Sequence, residues 1–198
     1  MLQSRREAGK RKSRLSILAA SRRLFKEKGY ENTMIEDVAE AAQVSKATIY
    51  NYFASKESLL AGAMEEEIVT ALAFMKNLDD SMNGYEKIRK TLIYQTVKGR
   101  DYIDIGRRMM FLNMEKDSPL YRKADKVIEQ FRVLTEQAKQ EGVFRKEIST
   151  DTIVTLINGF YLYVQFGWRD LENLTEEQCT EKIIYLLDLT LAGCLVQE

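Results

Sequence analysis

Between Thr33 and Lys56 the chain carries a dense run of side chains that bond oxygen. Thr33, Ser45 and Thr48 bring hydroxyls, Tyr50 and Tyr52 bring phenols, and Lys46 and Lys56 bring ammonium groups. Asn51 adds a carboxamide that is both donor and acceptor. Hydroxyls and ammonium groups suit phosphate oxygens, and a carboxamide suits a base edge. The chemistry open to such a run is recognition rather than bond making. The other reactive residues point the same way. The 198 residues include no His, which excludes Ser-His-Asp triads, His-ligated zinc and imidazole relays. No phosphate-binding glycine loop, dinucleotide fingerprint or metal-ligand spacing is present. Cys179 and Cys194 suit a small hydrophobic role in a reducing cytoplasm. The expectation is no catalytic residue, no metal and no cofactor, hence not an enzyme.

These residues must be held by helices. The chain has one Pro and no sustained alternation of apolar and polar residues. Ile17, Leu18, Ser21, Leu24 and Phe25 share one helical face, and Gly29 closes that helix. Thr33 with Glu36 reads as a capping box opening a second helix, whose apolar face is Ile35, Val38, Ala39 and Ala42. Ser45 caps a short third helix to about Phe53, and Ser55 a long fourth to about Leu78. Further helices are expected at about 85–98 and 101–115. A seventh starts at Ser118-Pro119 and ends at Gly142; Ser149 or Thr150 opens an eighth, and the Thr175 to Gln178 capping box a ninth. The fold class is all-α, with about nine helices.

The formal net charge is zero, but unevenly spread. Residues 1–56 hold 12 Lys or Arg against six Asp or Glu, and residues 57–198 hold 18 against 24. A basic end on an acidic body suits a polyanion partner, nucleic acid or anionic lipid. Residues 1–13 read as a basic, flexible arm, 14–56 as a small helical head, and 57–198 as a helical body.

The second and third helices are short and joined by a tight turn, which is helix-turn-helix geometry. One helix of such a pair crosses the DNA backbone and the next enters the major groove. At 100° per residue, Ile49 and Phe53 point inward together, while Ala47, Thr48, Tyr50 and Asn51 point away. Lys56 stands at the positive start of the fourth helix, an unfavourable place that a phosphate would reverse.

Residues 14–60 resemble the DNA-binding domain of the tetracycline-repressor (TetR) family. The stretches that carry the likeness are ILAASRRLFKEKGY at 17–30, TMIEDVAEAA at 33–42 and VSKATIYNYFASKESLL at 44–60. The resemblance implies that Thr33, Ser45, Lys46, Ala47, Thr48, Tyr50, Asn51, Tyr52 and Lys56 lie on or near double-stranded DNA. Thr33 and Lys56 would clamp the backbone; Lys46, Ala47, Thr48 and Asn51 would meet base edges. Two positions depart from the pattern. The family usually has Gly where Gln43 stands, and a left-handed Gln there costs about 1 kcal/mol. It often has Gly where Ala47 stands; the methyl could meet a thymine methyl or tolerate a different spacing.

In the body, Ile153, Leu156, Ile157, Phe160, Tyr161, Val164 and Trp168 form one stripe of the eighth helix, and Val154, Leu162, Tyr163 and Phe166 much of another. A helix apolar nearly all round must be covered on both sides. The ninth helix has Ile183, Ile184, Leu187, Leu191 and Leu195 on one face. Either both helices are core, or their second side meets a copy of itself. The resemblance implies the latter: a homodimer through helices eight and nine, with Phe160, Val164, Ile184, Leu187 and Leu191 at the interface. It also implies a pocket for a small, largely apolar effector. Candidate lining is Phe74, Leu92, Gln95, Thr96, Met109, Met110, Asn113, Phe131, Ile157, Tyr161 and Trp168. Arg107 and Arg108 would suit an anionic effector or solvent.

The function implied is a cytoplasmic, ligand-responsive transcription regulator, a repressor that binds a palindromic operator as a dimer. Two other classes compete. A small helical enzyme or carrier lacks any reactive constellation. A membrane-surface protein would need apolar anchors that residues 1–14 lack, and no apolar run is long enough to span a bilayer.

Overall fold

The computed structural model describes residues 2–100, 106–107, 119–168 and 171–196. It contains α1 (Leu2–Lys28), α2 (Ile35–Ala41), α3 (Lys46–Tyr52), α4 (Lys56–Lys76), α5 (Gly84–Gly99), α6 (Pro119–Gln140), α7 (Thr150–Phe166) and α8 (Glu176–Leu191). The fold is all-α, with eight α-helices among the described residues rather than nine. The expected sixth, about 101–115, lies outside the described residues apart from Gly106 and Arg107. The expected eighth and ninth helices are α7 and α8. Two compact units divide at residues 67 and 68, inside α4, not at 56 and 57.

In the first unit, residues 2–13, expected as a flexible arm, form the first turns of α1. α1 ends at Gly29, whose φ of +79° no β-carbon hinders. Ile17, Leu18, Leu24 and Phe25 are buried, as the helical period requires. Val38, Ile49, Phe53, Leu59 and Leu60 are buried as well, with α1 packed on α2 and α2 on α3. Gly62 permits the closest approach: a β-carbon there would stand 2.7 Å from the Phe53 ring. The α2–α3 turn needs a left-handed residue, and Gln43 adopts φ +56°. An L residue with a side chain pays about 1–2 kcal/mol for that.

The α2 start differs from the expected capping box. Thr33 is 1% exposed, and its hydroxyl donates to the Leu24 and Gly29 carbonyls at 3.2 and 2.8 Å. The cap shifts one residue on: Met34 N–H donates to the Asp37 carboxylate at 2.8 Å. The unsatisfied carbonyls at the end of α1 win the Thr33 hydroxyl. The α3 and α4 caps are as expected. Ser45 accepts from Thr48 N–H at 3.0 Å, and Ser55 from Ser58 N–H at 3.1 Å.

In the second unit, α5 packs on α6 and α8, and α7 on α6 and α8. Ile88, Leu92, Phe144, Ile153, Ile157, Ile183 and Leu187 form its core, each at most 1% exposed. Asn83 and Glu86 make a reciprocal capping box on α5, and Thr175 with Gln178 does so on α8. Gly84 lets α5 and α6 touch, because a β-carbon would run into the Leu134 carbonyl. Beyond α8, an isolated antiparallel bridge pairs Leu195 with Phe144. Cys179 and Cys194 are free and buried, and burial raises both thiols above their ordinary pKa.

Candidate nucleic-acid interface

α3 has seven residues, too few to be stable alone. Its stability comes from one side. Ile49 is fully buried and Phe53, just beyond the helix end, is 4% exposed. The opposite side carries Lys46, Ala47, Tyr50 and Asn51, all exposed, with Thr48 half-buried at its edge. Tyr52 is half-buried and lies 6.4 Å from the Phe53 ring. The structure thus places eight of the nine expected DNA-contact residues on α3, its N-cap and the first residue of α4. Thr33 is the exception. Its hydroxyl proton is already bonded inside the first unit, so it fixes the α1–α2 turn rather than offering a donor outward.

Two lysines border this face differently. Lys56 donates to the Glu31 carbonyl at 3.2 Å and lies 4.3 Å over the Tyr30 ring. Neither contact neutralises it. Lys46 lies 6.0 Å from the centroid of the Tyr50 ring and is ion-paired with Glu36 of α2. The Glu36 hydrogen bond raises the Lys46 ammonium above its usual pKa, and Lys46 in turn lowers the Glu36 carboxyl. Asp37 is lowered first by the Met34 N–H and then by Lys28, 3.0 Å away. From sequence Glu36 reads only as a helix-cap partner; the signal for its ion pair is the ten-residue spacing to Lys46, which a helix-turn-helix folds into a neighbouring pair. Met34, at the start of α2, is 62% exposed and also went unassigned.

The exposed side chains of this face are mostly polar, with ammonium groups at Lys46 and Lys56. The face has donors for phosphates at Ser45, Lys46, Tyr50 and Lys56, and a two-way hydrogen-bonding group at Asn51. Among the described residues no cluster of metal-binding side chains occurs.

In the second unit, Leu92, Thr96, Phe131, Ile157 and Trp168 are buried, while Phe74, Gln95 and Tyr161 are half-buried. Phe74 stacks on Tyr94 with centroids 3.9 Å apart. Burial pushes the Tyr161 hydroxyl up to about 12. Met109, Met110, Asn113 and Arg108 lie outside the described residues. Gln95 Oε1, Thr135 Oγ1 and Trp168 Nε1 are buried without a hydrogen-bond partner among the described residues. Each such group costs about 1–3 kcal/mol. Arg107 donates to the Gln165 carbonyl at 2.7 Å and the Trp168 carbonyl at 3.1 Å. These carbonyls lie at and beyond the negative end of α7.

The expected pairing face needs correction. Val164, Leu187 and Leu191 are fully buried inside the single chain, Phe160 is 6% exposed, and Ile184 is half-buried. Phe160, Val164, Leu187 and Leu191 belong to the core of the second unit; Ile184 does not. The large apolar side chains that α7 and α8 leave exposed are Leu162, Tyr163, Tyr185 and Leu189, the last three more than half exposed. A helix apolar all round does not reveal which stripe its own chain covers. Here the Ile153, Ile157, Phe160, Val164 stripe turned inward.

Known proteins resemble this arrangement. The sequence model for "Bacterial regulatory proteins, tetR family" matches residues 17–63, the span of the first unit's core. The transposon Tn10 TetC protein of Escherichia coli is 23% identical over 170 residues, covering 82% of this chain and 83% of TetC. A TetR/AcrR-family transcriptional regulator from Thermobifida fusca superposes with a TM-score of 0.71 at 22% identity, over 88% of this chain and 95% of the other. AibR, solved with isovaleryl coenzyme A and operator DNA, superposes with a TM-score of 0.60 at 22% identity, over 89% and 97%.

Proposed function

We propose, from the premise that this chain belongs to the tetR family of bacterial regulatory proteins, that it is a ligand-responsive repressor of transcription. It is a DNA-binding regulator. Its recognition element is α3, held on Ile49 and Phe53 so that Lys46, Ala47, Thr48, Tyr50 and Asn51 meet the major groove. That two-faced helix is the observation that carries the reading. Lys46, Lys56, Ser45, Tyr50 and Tyr52 bond phosphates, and Lys46 also stands with Ala47, Thr48 and Asn51 nearest to base edges.

A seven-residue helix reads few base pairs, so useful affinity needs two copies. The chain acts as a homodimer through the open apolar side of α7 and α8, centred on Tyr163, Tyr185 and Leu189. Two heads on a twofold axis read a palindrome with half-sites one or more helical turns apart. An effector enters the second unit among Phe74, Leu92, Phe131, Ile157 and Tyr161, where Gln95 and Trp168 offer the polar contacts. Binding a body conformation whose head spacing misfits the operator is enough to release DNA. The protein works in the cytoplasm and uses no cofactor. AibR, seen with both an acyl-coenzyme A and operator DNA, supports the pairing of the two sites in one fold.

Lys46→Ala and Tyr50→Ala test the reading. Each should weaken binding to duplex DNA while leaving melting and assembly unchanged. Lys46→Ala should also reduce the salt slope by about one for each phosphate left without its cation. Unfolding of either variant, or unaltered DNA affinity in both, contradicts the assignment of this face.

A further inference from the structure

The acidic side chains at the start of α2 do different work. Asp37 accepts from the Met34 N–H at 2.8 Å and pairs with Lys28 at 3.0 Å, so it fixes the helix start and the α1–α2 angle. Glu36 is 56% exposed in its side chain and reaches across to Lys46 on α3, itself 50% exposed. An exposed pair of this kind adds little to folding. What it does change is the state of Lys46. That ammonium belongs to the recognition face, shares its stripe with Tyr50, and is neutralised in the free protein by a carboxylate of the same chain. Lys56, by contrast, donates to a carbonyl and lies over a ring, with no carboxylate hydrogen-bonded to it among the described residues.

We infer that Glu36 is a positioning residue that stands in for a DNA phosphate: it holds Lys46 in the free protein and must release it when the head binds. The inference rests on the assignment of the α3 face to DNA. Its physical content is a competition. A phosphate gains Lys46 only by displacing an ion pair, so the head binds DNA more weakly than its cations alone would allow. The carboxylate also fixes the Lys46 side chain in one direction, over Tyr50, before DNA arrives. A protein that must leave its operator on demand gains from such a limit, because a smaller loss of affinity then suffices for release.

The experiment measures binding of the full chain to a random-sequence 30-base-pair duplex at several salt concentrations. It compares Glu36→Gln, Lys46→Ala, the double variant and Tyr50→Ala. Glu36→Gln should tighten binding about two- to five-fold per head, the equilibrium equivalent of an exposed ion pair, with melting unchanged. In the Lys46→Ala background the same change should have no effect. Tightening that persists without Lys46 would overturn the proposal, since Glu36 would then act by plain repulsion of phosphates. Unchanged or weaker binding by Glu36→Gln would overturn it too, while weakening by Tyr50→Ala in the same series would leave the DNA-face assignment standing. If neither Lys46→Ala nor Tyr50→Ala weakened binding, the face itself, and the inference with it, would fall.

Discussion

The two units expose opposite chemistry on the outward faces of their helices. α3 turns Ile49 inward and Tyr50, Asn51 and Lys46 outward. α8 turns Ile183, Leu187 and Leu191 inward and Tyr185 and Leu189 outward. The first outward face is polar and charged, so a partner gains from it through phosphates and loses it to salt. The second is apolar with phenol tips, so a partner gains from it by excluding water. Each of these helices keeps one inward stripe for stability and leaves its other side exposed. The difference lies in what the outward side can meet: a polyanion in one case, another apolar surface in the other.

The comparison can be broken at the apolar face first. Tyr185→Glu with Leu189→Glu should turn the dimer into monomers in sedimentation and lower affinity for a palindromic duplex on the order of 100-fold, the avidity of a second head. Folding of each protomer should survive, because both side chains are exposed. A double variant that remained dimeric would move the interface elsewhere. The inward partners behave in the reverse way. Ile49→Ala and Leu187→Ala should each cost about 2–5 kcal/mol of stability in denaturant titrations, with Leu187→Ala leaving the dimer interface in place. If Leu187→Ala instead dissociated a fully folded protein, the inward stripe would be the interface.

The first unit could be read largely from sequence because its signals are local. A turn of three or four residues fixes α2 against α3, and the alternation of Ile49 and Phe53 with polar neighbours fixes which side faces out. Thr33 escaped because a threonine before a helix suits two jobs. Only the fold shows that the Leu24 and Gly29 carbonyls lie within reach of its hydroxyl. Glu36 and Lys46 escaped for the same reason, since their meeting depends on a turn between two helices. In the second unit the helices could be read, but their faces could not. α7 is apolar on nearly every side, so periodicity gives no direction. Which stripe turns inward is decided by packing on α5, α6 and α8, which no local period records. The pocket residues suffer most, because a buried Leu or Phe has the same signature whether it lines a cavity or fills a core.

A smaller effect sharpens the contrast at the turn itself. Gln43 holds φ +56° where glycine pays no side-chain penalty. Gln43→Gly should raise the stability of the first unit by about 0.5–1 kcal/mol and leave the second unit unchanged. A drop in stability would mean that the Gln43 side chain makes an interaction outweighing the backbone cost.

The most direct measurement of the DNA-binding assignment is selection of duplexes from a random pool by the full chain, followed by affinity for the selected duplex between about 50 and 200 mM salt. The expected result is a palindrome, bound by a dimer. Its affinity should fall about a thousand-fold or more over that range, although the chain carries no net charge. Enrichment of no symmetric sequence, or affinity indifferent to salt, would contradict the assignment of α3 as a DNA-reading helix.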